Sequence, residues 1–138
     1  MQPFKQGDVA LLRVTGIAAP ALPVAQAATQ NGDSVVAAGY PGDVAALVDS
    51  STPASYIEGT VSGTQTVNGT PFTQISSQTS AGMSGGPVLN LAGQVVGTVS
   101  WGPSGTTVAN FMTAHQIITG HVDVSKEATN AYNAACSQ

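Results

Sequence analysis

Short runs of apolar and β-branched residues, separated by turn residues, recur along the chain from Asp33 onward. Runs of this length, bounded by Gly, Asn, Pro and Ser, are typical of the strands of an all-β sandwich or barrel. Asn68-Gly69 lies between two such runs and predicts a tight hairpin, because both central residues of a type I′ turn need positive φ. The pattern predicts six strands, at residues 34–39, 56–66, 70–75, 86–90, 94–101 and 106–112.

The flanking segments carry weaker patterns. Residues 8–14 alternate and are rich in Val and Leu, which predicts a strand, although no partner for it is evident in the chain. Residues 15–30 are rich in alanine, but Pro20 and Pro23 favour an extended crossing over a helix. Residues 43–55 read as a surface loop. A short helical stretch is expected at His115, and a weak helix at 123–132 leads into a mobile terminus.

Composition excludes several classes of function. Of the 138 residues only 7% are charged and three are Lys or Arg, so the net charge of −4 gives no support for nucleic-acid binding. No run approaches the about 18 apolar residues of a membrane span. The two histidines and scattered carboxylates show no metal-ligand spacing, and no cofactor is expected. The uncharged, polar composition fits part of a secreted or cell-envelope protein.

A single cysteine, Cys136, lies near the C-terminus. An internal disulfide is therefore impossible. No histidine or basic residue next to it would lower its pKa, so we interpret it as a free thiol rather than a nucleophile.

The candidate catalytic motif of this sequence is Gly-Met-Ser-Gly-Gly-Pro, at residues 82–87. A serine in a glycine-rich turn is exposed as a nucleophile, and the glycines leave backbone N–H groups free to face a developing oxyanion. The segment also matches G-x-S-x-G, the nucleophile elbow of α/β-hydrolases, but that motif requires a helix after the serine. Residues 87–99 instead predict a hairpin around an Asn-Leu-Ala-Gly turn.

With its hairpin, this motif resembles the nucleophile motif of the trypsin-like serine peptidases of chymotrypsin fold. Residues 96–102 resemble the strand that pairs with substrate, residues 7–14 the strand that opens with the triad aspartate, and residues 34–42 the first strand of the second barrel in disulfide-free bacterial members. The resemblance covers about residues 7–120. It implies a six-stranded antiparallel Greek-key β-barrel with a short C-terminal helix. The implied organisation is a first-barrel remnant strand and linker at 1–32, the second barrel at 33–121 and a helix or tail at 122–138.

The resemblance also implies a serine endopeptidase site without a cofactor or metal. Ser84 would be the nucleophile, Asp8 would orient a histidine, and the amides of Gly82 and Ser84 would form the oxyanion hole. A peptide or protein substrate would pair along Ser100, Trp101 and Gly102, with Gln78, Thr79 and Ser80 at the base and wall of its pocket. Because Gln78 is uncharged, a neutral, medium-sized residue is expected before the cleaved bond. The side chain of Met83 is expected to contact the cleft.

The family's order of histidine, aspartate and serine places the histidine upstream of Asp8, where only residues 1–7 stand. We therefore expect a second-barrel half that is nearly inert alone, with Asp8 solvated, and a first barrel supplied in cis or in trans. His115 and His121 follow Ser84 and are interpreted as surface or capping residues. Two alternatives stay open, a non-catalytic module that binds peptides or proteins and a structural extracellular domain.

Overall fold

The apolar runs of the sequence form six strands in the computed structural model, which describes residues 7–12, 14–45, 47, 49, 51–102 and 110–136. Two of the predicted strands have the predicted bounds, and the others differ at their ends. Residues 103–109, which include the predicted start of the last strand, lie outside the described residues. The elements are β1 (Ser34–Gly39), α1 (Gly42–Ala45), β2 (Ser55–Val67), β3 (Thr70–Ile75), β4 (Pro87–Leu89), β5 (Val95–Trp101), β6 (Asn110–Thr113) and α2 (His115–Cys136).

The strands close into an antiparallel barrel in the order β1-β2-β3-β6-β5-β4. Three consecutive strands pair as hairpins, and β4 returns to lie beside β1, through Val36↔Leu89 and Ala37↔Val88. This connection defines a Greek key. The predicted fold class, a six-stranded antiparallel barrel with a C-terminal helix, is confirmed.

Local turn chemistry sets the register of the β2–β3 hairpin. Asn68 and Gly69 have φ of 50° and 80°, and Val67 pairs with Thr70, as the Asn-Gly signal predicts. The β4–β5 turn is stabilised by the side chain of Asn90, whose Oδ1 accepts hydrogen bonds from the amides of Ala92 and Gln94 at 3.0 Å and 2.9 Å. Both hairpins follow from residues adjacent in sequence.

Small and medium apolar side chains fill the barrel interior. They come from alternate positions of the strands, since successive side chains of a strand point to opposite faces. Two members lie outside the strands: Ala25 in the segment before β1, and Met83 in the long β3–β4 connection. The buried cluster consists of Ala25, Val35, Ala37, Val61, Ile75, Met83, Val88, Val96, Val99 and Met112.

The segment before the barrel departs from the prediction in one respect. Residues 8–12 and Val14 form no strand. Each strand of the closed barrel already pairs with a neighbour on both sides, so residues 8–12 have no unpaired strand to join. The following segment is extended rather than helical, as the prolines predict, and it lies along β5, where the Ala25 amide donates to the Val95 carbonyl and the Val95 amide to the Pro23 carbonyl.

The C-terminal helix is longer than predicted. The stretch expected at His115 and the one expected at 123–132 form one continuous helix, α2, which packs against β5. The start of the helix is anchored by Ala114, the residue before it, and by Ile118, both of which are buried. Within the described part of the chain, no helix combines the length and apolarity that crossing a membrane requires.

Candidate active site

The connection between β3 and β4 carries Ser84 in a turn in which some backbone amides donate hydrogen bonds and others do not. The Met83 amide donates to the Ser80 carbonyl at 3.1 Å, and the Gly85 amide donates to the Val99 carbonyl at 2.7 Å. Among the described residues, the amides of Gly82 and Ser84 donate no hydrogen bond. Two N–H groups on either side of Met83 are thus left for another acceptor, as an oxyanion hole requires.

Gly82 makes this turn possible. Its φ of +96° lies in the region that residues with a Cβ rarely adopt. A Cβ at this position would also lie 2.6 Å from the Gly42 nitrogen and 2.8 Å from the Tyr40 carbonyl oxygen. The backbone after β1 therefore packs directly against the turn, and the Gly42 amide ties the two together by donating to the Ala81 carbonyl at 2.7 Å.

Met83 anchors the turn from below. Its side chain is 1% exposed and belongs to the barrel core, where it lies against Gly39 at the end of β1. The expectation that this side chain contacts the cleft is wrong, because the turn directs it into the barrel. Met83 thus joins the turn that carries Ser84 to the hydrophobic core.

We expect Met83→Ala to lower the free energy of unfolding by about 2–5 kcal/mol, because it removes a fully buried side chain from the core. Met83→Leu conserves most of the volume and is expected to cost less than about 1.5 kcal/mol. Urea denaturation of the chain measures both. Leu91→Ala is the control, since Leu91 is 80% exposed; a loss at Met83 no larger than at Leu91 would contradict the anchoring role.

Ser84 and Asp8 meet at Ser100 on β5. The Ser84 hydroxyl contacts the Ser100 carbonyl oxygen over 3.4 Å, and the Ser100 hydroxyl donates to Asp8 Oδ2 at 2.6 Å. Asp8 is exposed, as expected, and among the described residues its Oδ1 makes no hydrogen bond. Ser84 and Asp8 are 76 positions apart in sequence, and the structure brings the exposed hydroxyl of one and the carboxylate of the other into contact with the same residue of β5, Ser100.

Both histidines contact backbone carbonyls. His115 Nε2 lies 2.6 Å from the Ala25 carbonyl oxygen, and His121 Nδ1 lies 2.8 Å from that of Ile117, one helical turn before it. Neither ring has a described contact with Ser84 or Asp8.

A cavity of about 370 Å³ opens beside Ser84. Five of the six residues predicted to bind substrate line it. Gln78, the sixth, is exposed and does not, whereas Asn110 at the start of β6 lines the cavity although it was not predicted. Asn110 lay inside a predicted strand, but only the barrel closure brings that strand opposite the β3–β4 connection. The lining residues are Thr79, Ser80, Ala81, Ser84, Val99, Ser100, Trp101, Gly102 and Asn110.

Trp101 forms a rigid wall of this cavity. Its ring stacks on Phe111 with centroids 4.5 Å apart and meets Phe72 edge-on at 5.9 Å. Such pairs hold an aromatic ring in a fixed orientation. The indole thus borders the cavity and also packs on aromatic residues of β3 and β6.

A closed Greek-key barrel that carries a serine in a glycine turn, with an aspartate bonded to the neighbouring strand β5, has the architecture of a barrel of the chymotrypsin fold. The sequence profile of the trypsin-like peptidase domain matches residues 2–97, a range that includes both Asp8 and Ser84. The chain belongs to the trypsin-like peptidase family. No curated protein matches it in sequence.

Solved structures of bacterial proteases share this fold. The chain is similar to the Rv3671c protease of M. tuberculosis in its active form, with 21% identity and a TM-score of 0.64 over 77% of this chain and 48% of that one. The inactive form of the same protease has 21% identity to this chain and a TM-score of 0.61, over 77% of this chain and 55% of that one. A serine endoprotease from Yersinia pestis has 21% identity and a TM-score of 0.62, over 81% of this chain and 37% of that one. The chain therefore spans about half the length of these neighbours, or less.

Proposed function

We propose that this chain is the second-barrel half of a serine endopeptidase that cleaves peptide bonds through an acyl-enzyme on Ser84. The observation that carries the proposal is the convergence of Ser84 and Asp8 on Ser100, beside two amides with no acceptor in the described residues. A turn that served only to connect two strands would need neither feature.

In this mechanism an imidazole takes the Ser84 hydroxyl proton as Oγ bonds to the substrate carbonyl carbon. The Gly82 and Ser84 amides hold the resulting oxyanion. The imidazole returns the proton to the leaving amine as the C–N bond breaks, which leaves an ester on Ser84 that water then hydrolyses. Asp8 accepts the other imidazole N–H through its available oxygen, while Ser100 holds Oδ2.

The imidazole must come from a first barrel, joined in cis or added in trans. Exposed apolar side chains after Asp8 support such a partner: Leu12 is 80% exposed and Ile17 71%, and Leu11 and Val14 are also more than half exposed. Large apolar side chains exposed this close together in sequence are expected where a segment packs against a partner. By itself the chain is expected to be nearly inert, since loss of one triad member costs roughly 10⁴–10⁶ in kcat.

The proposed setting is secreted or cell-envelope and bacterial. It rests on the low content of charged residues and on the bacterial origin of the structural neighbours. The proposed substrates are peptides or proteins that add a strand along Ser100–Gly102.

Fluorophosphonate labelling tests the proposal. We expect mass spectrometry to find Ser84 labelled in a longer form that carries a histidine-bearing first barrel, and unlabelled in the 138-residue chain. Ser84→Ala should abolish the label in the longer form, whereas Ser62→Ala, at an exposed position of β2, should not. An unlabelled Ser84 in the longer form would favour the peptide-binding module instead.

A further inference from the structure

The cavity beside Ser84 receives a substrate side chain if the proposed function holds. It is bounded by Ser84 itself and by the backbone of Ser100 to Gly102, along which substrate would pair. A carbonyl placed at Ser84 therefore directs the side chain of its own residue, the one before the cleaved bond, into this space. The chemistry of the lining then decides which side chain binds.

The lining residues that the structure describes are uncharged. Residues 59–122, from which every lining residue comes, contain no Asp, Glu, Lys or Arg. Two carboxylates contact lining residues without lining the cavity: Asp8 accepts from Ser100, and Asp43 Oδ1 lies 3.5 Å from the Ser80 hydroxyl. A guanidinium or ammonium inside the cavity would therefore find no carboxylate on the lining for a direct ion pair, and a carboxylate would find no cation there, which makes the desolvation of either charge costly.

Asn110 supplies a hydrogen-bond acceptor in a fixed orientation. Its Nδ2 donates to the Ser77 carbonyl at 2.6 Å. A carbonyl only accepts, so the contact identifies this atom as the nitrogen and leaves Oδ1 as the other end of the carboxamide. The Ser77 carbonyl also accepts from the Thr79 amide at 2.9 Å, so the same oxygen joins Asn110 to the segment that carries Thr79.

Two hydroxyl groups add to the polar groups that line the cavity. Thr79 and Ser80 line the same cavity, and within the described residues the Thr79 hydroxyl makes no hydrogen bond. The cavity thus combines an acceptor on Asn110 with a hydroxyl that can donate. A primary carboxamide needs both, since its NH₂ donates and its oxygen accepts.

We propose that the cavity selects an uncharged carboxamide side chain, that of glutamine, with Asn110 as the specificity-determining residue. The glutamine NH₂ donates to Asn110 Oδ1, and its oxygen accepts from Thr79. An aliphatic side chain of the same length would bury the Asn110 acceptor without a partner. This assignment rests on the proposed function for the direction in which substrate lies.

Product peptides test this without the missing imidazole. Acetylated tri-alanine peptides extended by a C-terminal Gln, Met, Glu or Lys would be titrated into the ¹⁵N-labelled chain, with binding followed at the Gly82 and Ser84 amide resonances. The terminal carboxylate occupies the oxyanion site, so the last side chain enters the cavity. We expect Gln to bind at least about tenfold more tightly than the other three, the ratio expected for one buried hydrogen bond.

Variants of Asn110 make the test specific. Asn110→Leu should abolish the preference for Gln over Met, and Asn110→Asp should make the Lys peptide the tightest binder. Asn130→Asp makes the same charge change on an exposed position of α2 and should leave the order unchanged. Equal binding of Gln and Met by the unsubstituted chain, no binding of any peptide, or an unchanged order in Asn110→Asp would each overturn the proposal.

Fluorophosphonate labelling separates the two proposals. A labelled Ser84 in the two-barrel form, combined with no Gln preference, would reject the pocket assignment and keep the peptidase. A Gln preference with no labelling would reject the peptidase and keep the pocket.

Discussion

In a two-barrel form that carries the histidine, Ser84→Ala is expected to lower kcat by roughly 10⁶-fold and Asp8→Asn by roughly 10⁴-fold. In the proposed mechanism Ser84 forms the acyl bond, so without it only the oxyanion site and substrate binding would remain. Asp8→Asn keeps the shape and the contact with Ser100, but an amide N–H in place of the carboxylate favours the wrong imidazole tautomer. Peptide hydrolysis under saturating substrate measures both effects.

The double variant Ser84→Ala with Asp8→Asn tests whether the two residues act together in one catalytic unit or lower kcat independently. Residues that act as one triad are strongly non-additive, so the double variant should be no slower than Ser84→Ala alone. KM should change little in Asp8→Asn, because Asp8 does not line the cavity. Asp123→Asn is the matched control: this carboxylate lies on α2, 71% exposed, in a 4.0 Å pair with Lys126. Equal rates for Asp8→Asn and Asp123→Asn would exclude Asp8 from the site.

Features set by neighbouring residues could be predicted from the sequence. The Asn68-Gly69 turn requires positive φ at two positions, and these two residue types tolerate it. The bounds of β1 and β3 follow from short β-branched runs between turn residues. The turn at Ser84 also belongs to this class, because its conformation depends on glycines within a few residues. Local chemistry thus predicts the hairpins and the turn that carries Ser84.

Features set by residues distant in sequence could not be predicted in the same way. Met83 is buried because Gly39 leaves room beneath the turn, and nothing at positions 82–87 shows this. Asn110 reaches the cavity only because β6 closes the barrel between β3 and β5. Residues 8–12 alternate like a strand, but pairing needs an unpaired strand, and each strand of the described barrel already has two neighbours. The sequence pattern identifies candidate groups, and the topology decides which of them meet.

Gly82→Ala is expected to lower the free energy of unfolding by more than about 3 kcal/mol and the acylation rate by roughly 10²–10³-fold. A Cβ at φ +96° costs of order 1–3 kcal/mol in backbone strain. It would also overlap the backbone at Gly42 and Tyr40, which is not the movable end of a side chain. The turn must therefore shift, and the rate falls because the Gly82 amide leaves the oxyanion site.

Gly93→Ala separates strain from displacement. Gly93 also has positive φ, +77°, but a Cβ there would meet nothing within 4 Å, so only the strain applies and about 1 kcal/mol is expected. Urea denaturation gives the stability of both variants, and the rate of fluorophosphonate labelling in the two-barrel form gives the effect at Ser84. Equal stability losses in the two variants would show that the backbone after β1 does not constrain the turn. A normal labelling rate in Gly82→Ala would show that the Gly82 amide is not part of the oxyanion site.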